Sequence, residues 1–217
     1  MITTRKSAAV EVLLIFATVM VAIWLLPERE SNYRLWHSLG CSVILVWIFI
    51  SWKWREDTLT SVGLLPRNFD TAKPLFCWSA AALMIMLIAA LSIDRRFYEK
   101  PEFSEKVFRQ FRSYLGWAVF QQVVLQGYFT NRLFRWLENK KLAAVAAGLM
   151  FGLAHLPNPV LAPATALMGG LLAYYFLQSR NVYIIALVHA TLGTAVKYLI
   201  AAPLLDNPMR IGPNFFN

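Results

Sequence analysis

Three glutamines and two histidines stand inside apolar stretches, where a polar side chain needs a reason to be. Gln121, Gln122 and Gln126 fall in the run QQVVLQGYF, His155 closes the run FGLAH, and His189 lies inside ALVHA. Helical spacing puts Gln122 and Gln126 on one face with Gln121 beside them, and sets Phe151 on the face of His155. A neutral imidazole can bind, accept a proton or donate one. An amide donates and accepts hydrogen bonds but has no useful basicity. These groups, on three helices, can converge in one polar pocket in which His155 or His189 moves protons. The competing account is interhelical hydrogen bonding, which for the glutamines alone is the better one. Lys197, near the end of its stretch, reads as a side chain snorkelling to the interface.

Other chemistries fit less well. Two histidines without a nearby carboxylate or cysteine fall short of the three protein ligands usual for catalytic zinc, and there is no HExxH run. Cys41 and Cys77 both sit in apolar blocks and read as small buried side chains, and no span offers either histidine an obvious nucleophilic partner. No metal and no other cofactor is expected.

The elements that must position these residues are membrane helices. Of the 217 residues, 58% are hydrophobic and only 15% charged, too few to clothe a soluble domain of this length. The apolar blocks approach the length of a bilayer crossing, at roughly 8–26, 36–52, 74–93, 114–133, 142–155, 161–177 and 182–201. The expected fold is all-α, a polytopic transmembrane bundle of about seven spans forming a single membrane domain over 1–217, with the N-terminal spans within 8–58. Trp36, Trp47, Trp52 and Trp54 suit interfacial belts, and Glu11 suits a first helical turn from which it reaches the interface. Residues 101–112 read as an amphipathic helix on the membrane surface or as a solvated connector. The net charge of +9 gathers at span ends, which points to a lipid bilayer rather than nucleic acid and leans towards a cytoplasmic N-terminus.

The ordered set of motifs resembles the CPBP family, the CAAX proteases and bacteriocin-processing enzymes also called Abi proteins. That family carries EExxxR on one membrane helix, FxxxH on the next and HxxxN on a later one. Here Gln121 to Gln126 occupies the first motif and is followed by Gly127-Tyr128-Phe129, Phe151 to His155 matches the second, and His189 to Gly193 takes the place of the third. The segment Ser61-Val62-Gly63-Leu64-Leu65 also resembles a stretch that precedes the family's third helix. The likeness covers about residues 60 to 200.

It implies an intramembrane endopeptidase of a bacterial or archaeal cytoplasmic membrane, acting on a C-terminal or membrane-proximal peptide of a membrane-associated protein. Gln121, His155 and His189 take the catalytic positions, and Gln122, Gln126, Phe151 and Gly193 the supporting ones. In the family the first glutamate activates water and the asparagine helps to hold the oxyanion. Glutamine replaces both glutamates and the arginine here, and Gly193 replaces the asparagine. The site is therefore degenerate: Gln121 can orient water but cannot deprotonate it, and a lost oxyanion donor costs about two to three orders of magnitude in rate. Surviving catalysis would need His155 or His189 as base. Two other classes remain, a non-catalytic scaffold binding a peptide, lipid or membrane protein, and a small transporter. The second ranks last because the polar residues cluster in one region.

Overall fold

The computed structural model describes residues 2–25, 32–93, 102–207 and 209–216, with side chains from residue 6 onward except those of Tyr33 and Arg34. The described residues build an all-α, polytopic bundle of seven helical rods. These are α1 (Ile2–Leu25), α2 (Tyr33–Trp54), α3 (Lys73–Ile93), α4 (103–137), α5 (Lys140–Leu153), α6 (Leu161–Ser179) and α7 (Val182–Leu205). Five of them, α1, α2, α3, α6 and α7, are long and apolar enough to cross a membrane, and the protein is an integral membrane protein.

The two remaining rods differ from the sequence expectation. There is no break between the stretch at 101–112 and the span expected from 114: α4 runs on from Phe103. Pairs at helical spacing, Glu102 with Lys106 and Glu105 with Arg109, support its charged start, and Gln121, Gln122 and Gln126 make its uncharged remainder less apolar than the five spans. In α5, 14 residues reach only about 21 Å, short of the hydrocarbon thickness. The connector 94–101, including Asp94, Arg95 and Arg96, lies outside the described residues.

Asparagines punctuate the second half. Asn139 accepts from the amides of Lys141 and Leu142 to open α5, Asn158 from Val160 and Leu161 to open α6, and Asn181 from Ile184 to open α7. Helix α5 then packs on α6 with almost no side chain between them. A Cβ on Gly148 would lie 2.4 Å from the carbonyl oxygen of Ala166, and one on Gly152 would lie 2.8 Å from that of Ala162. Small residues at such spacing let two membrane helices approach backbone to backbone.

One end of the bundle is tied by the connector between α2 and α3. Val182 N–H donates to Gly63 O at 3.0 Å, Asn181 to Arg67 O at 2.8 Å, and Asn68 to Ser179 O at 2.9 Å. Asn131 and Arg180 both donate to Ser61 O. Gly63 is required here: its φ is +78°, and a Cβ would lie 2.6 Å from the Phe176 ring. Beneath this knot lies a buried ion cluster. Glu11 does not reach the interface. It is 5% exposed, and its carboxylate pairs with Arg55 at 2.6 Å and Arg132 at 3.1 Å and accepts from Ser51. Arg132, fully buried, also pairs with Asp57 at 2.8 Å. Two of the tryptophans also bond into the bundle, Trp47, itself 42% exposed, donating to Tyr128 Oη and Trp52 to Gly127 O.

Removing one member of a buried, paired set strands its partner's charge, which typically costs about 3–5 kcal/mol. Arg132→Ala is expected to lower the melting temperature in detergent far more than Asp70→Ala, whose partner Lys73 is 76% exposed. Thermal unfolding of the two purified variants beside wild type measures the difference.

Candidate functional site

The middle of α4 is not α-helical. From Val123 to Thr130 the chain forms a π-helix, flanked by the α-helical parts Phe103–Gln122 and Asn131–Leu137. Such stretches recur at functional sites. Here it carries a ladder of side chains. Thr130 Oγ1 donates to Gln126 Oε1 at 2.9 Å, and Gln126 Nε2 donates to Gln122 Oε1 at 2.9 Å.

The ladder crosses to α7 and comes back. Gln122 Nε2 lies 2.8 Å from His189 Nδ1. An amide nitrogen can only donate, so Nδ1 accepts and the neutral ring carries its proton on Nε2. That proton goes to Tyr114 Oη at 3.0 Å, and the phenol donates to Gln121 Oε1 at 3.4 Å. The result is a one-way chain from Thr130 through Gln126, Gln122, His189 and Tyr114 to Gln121. Gln122 and Gln126 are fully buried, His189 is 1% exposed, and both of its ring nitrogens are occupied. In this arrangement His189 positions other groups and has no lone pair to offer a substrate.

His155 is placed differently. Its Nδ1 lies 2.7 Å from the carbonyl oxygen of Phe151, which can only accept, so the neutral ring keeps a lone pair on Nε2. The Phe151 ring stands edge-on to both histidines, with centroids 4.7 Å from His155 and 5.5 Å from His189. The two histidines and three glutamines lie close together but on two sides of a boundary. Gln121 and His155 line a cavity of about 470 Å³, whereas Gln122, Gln126 and His189 are packed behind them.

The cavity lies among α1, α2, α4, α5 and a C-terminal strap, 209–216, with Phe16, Ile44, Phe120 and Phe129 among its apolar walls. This size suits a small ligand or short peptide. Among the described residues no group of three His, Cys, Asp or Glu side chains is arranged to hold a metal ion.

Three features escaped sequence reasoning. Tyr114 completes the chain, and it also explains Gly193: a Cβ there would lie 3.0 Å from Tyr114 Cε1. The phenol occupies the space that an asparagine at 193 would need. Its signal was present, since Tyr114 lies two helical turns before Gln121. His37 and Cys41 also line the cavity, from α2, with His37 Nδ1 4.0 Å from Cys41 Sγ. Lys197 has a specific partner, its Nζ donating to Gln110 Oε1 at 2.8 Å.

Residues 103–195 match the family described as type II CAAX prenyl endopeptidase Rce1-like. The chain thus carries an Rce1-like domain of the CAAX protease type over those residues, which hold all three motif positions. No curated protein and no solved structure matches the chain.

Two outcomes follow from this geometry. Gln122→Leu leaves His189 Nδ1 and Gln126 Nε2 buried without partners, at about 1–3 kcal/mol each, so it should destabilise the purified protein clearly more than Gln121→Leu at the cavity wall. Gly193→Asn should destabilise alone and be largely rescued by Tyr114→Ala, a coupling that a double-mutant cycle of melting temperatures measures.

Proposed function

We propose that this Rce1-like membrane protein takes the C-terminal or membrane-proximal peptide of a membrane-associated protein into the cavity, as an intramembrane endopeptidase with a degenerate site. His155 is the remaining base and Gln121 the group that orients the peptide carbonyl. One observation carries the reading: a histidine lone pair and an amide donor share the wall of one apolar cavity. Among the described residues, the Gln121 amino group has no protein partner, because its bond to Tyr114 uses Oε1. It is therefore available to donate to a carbonyl oxygen, while His155 Nε2 accepts a proton from water. The chain through His189 holds Gln121 in place and takes no proton itself.

Chemistry of this kind is slow. A carboxylate at position 121 would deprotonate water where an amide cannot, and a well-placed base contributes about 10²–10⁴-fold. One feature favours the second reading, a non-catalytic scaffold that binds a peptide, lipid or membrane protein: among the described residues lining the cavity there is no Asp or Glu. On either reading the chain acts as a single membrane domain, in the cytoplasmic membrane of a bacterium or archaeon. The cluster at the α1 start and α2 end, together with the connector, gathers Arg55, Arg132, Arg135 and Arg180. That charge supports a cytoplasmic N-terminus, with the cavity mouth towards the outer face.

The test compares protein termini across the membrane proteomes of a deletion strain carrying nothing, wild type, His155→Ala or Gln121→Glu. The expected result is a processed terminus with wild type, its loss with His155→Ala, and at least about tenfold more product with Gln121→Glu. Identical termini in all four strains, with any deletion phenotype rescued by His155→Ala, would leave the scaffold as the function.

A further inference from the structure

The strap supplies something that the Rce1-like segment does not. Met209, Arg210, Ile211 and Asn214 line one side of the cavity, all beyond the residues that match the family. The backbone there is pinned on both sides of Arg210. Buried Asn158 and Asn207 exchange side-chain hydrogen bonds at 2.8 and 3.1 Å, and Asn158 Nδ2 also donates to Arg210 O at 2.9 Å. Gly212 N–H donates to Leu156 O at 2.8 Å, and a Cβ on Gly212 would lie 2.9 Å from Ile23 O, so the strap rests directly on the end of α1.

Arg210 is the one Lys, Arg, Asp or Glu among the described residues lining the cavity, and its guanidinium has no ion pair among them. An exposed cation on a pinned backbone at the edge of an apolar cavity calls for an anionic end on an otherwise apolar ligand. A guanidinium prefers a carboxylate, which it can hold by two parallel hydrogen bonds. Such a ligand could be a peptide with a free C-terminus or a fatty acid. The wall favours the peptide: an alkyl chain would cover the Gln121 amino group and His155 Nε2 without pairing them, whereas peptide C=O and N–H groups pair both.

We infer that Arg210 is a specificity-determining residue that holds the free C-terminal carboxylate of an apolar peptide at the strap end of the cavity. The inference rests on the peptide-uptake reading above, and it narrows that reading to peptides that end in the cavity rather than pass through it.

Cys41 gives a native reporter, because it lines the same cavity and its only fellow thiol, Cys77, can be removed as Cys77→Ser. Purified Cys77→Ser protein in detergent is treated with N-ethylmaleimide in the presence of N-acetyl-trileucine, as free acid or as C-terminal amide, or of palmitate. The acid is expected to protect Cys41 at a concentration about tenfold or more below the amide, the usual range for a charge-assisted bond. Arg210→Gln should bring the two within about twofold, and Arg210→Lys should keep part of the preference. Arg210 is exposed and makes no side-chain bond among the described residues, so its variants are expected to fold. Equal protection by acid and amide in wild type, or an undiminished preference in Arg210→Gln, overturns the inference and leaves peptide uptake standing. Protection by neither peptide overturns both. Palmitate protecting more strongly than the acid, and losing this with Arg210→Gln, overturns the peptide in favour of a fatty acid.

Discussion

The hydrogen bond between Gln122 and His189 is the constraint around which the second half of this protein is arranged. An amide and an imidazole buried between membrane helices must find partners within the protein, because hydrocarbon supplies none. Satisfying Gln122 fixes the tautomer of His189. The tautomer requires an acceptor at Nε2, and Tyr114 provides it. The phenol then has a proton to give, and Gln121 receives it. Each member decides the role of the next. The outermost member, Gln121, reaches the cavity in a defined orientation with its amino group still available.

This order gives a physical meaning to the replacement of carboxylates by amides. Two glutamates and an arginine in hydrocarbon would balance charge only if each were paired with care. Three glutamines make a ladder of neutral bonds instead, closed by Thr130 at one end and Tyr114 at the other. The ladder carries no buried charge, and it lies within the segment that matches the Rce1-like family. Stability and charge balance are handled elsewhere, by Glu11, Arg55, Arg132 and Asp57 at the opposite end of the bundle. The two ends are built differently: one is locked by ions and the connector, and at the other the strap lines one side of the cavity.

Much of this was legible in the sequence, and the reasons differ by element. The helical bundle followed from composition, and Gln121, His155 and His189 drew notice as polar residues placed where burial is costly, with a shared pocket and interhelical bonding both open. The π-helical stretch could not be read, because it depends on packing and side-chain bonds that only the folded bundle offers. Tyr114 was hidden for another reason: a tyrosine at the start of a span suits an interface equally well. Glu11 was read from its local position, and its partner Arg132 lies 121 residues away along the chain. The split between residues lining the cavity and those behind it is a tertiary fact without a local signature.

The shortness of α5 carries a consequence for the supply of water. Its 14 residues leave a deficit of about 9 Å against a hydrocarbon layer of about 30 Å. Such a hydrophobic mismatch is met by local thinning of the bilayer or by a wet vestibule at the short helix's end. Helix α5 ends two residues before His155. The shortest of the seven rods thus ends beside His155 on the cavity wall, the point at which such a mismatch brings water nearest to the imidazole.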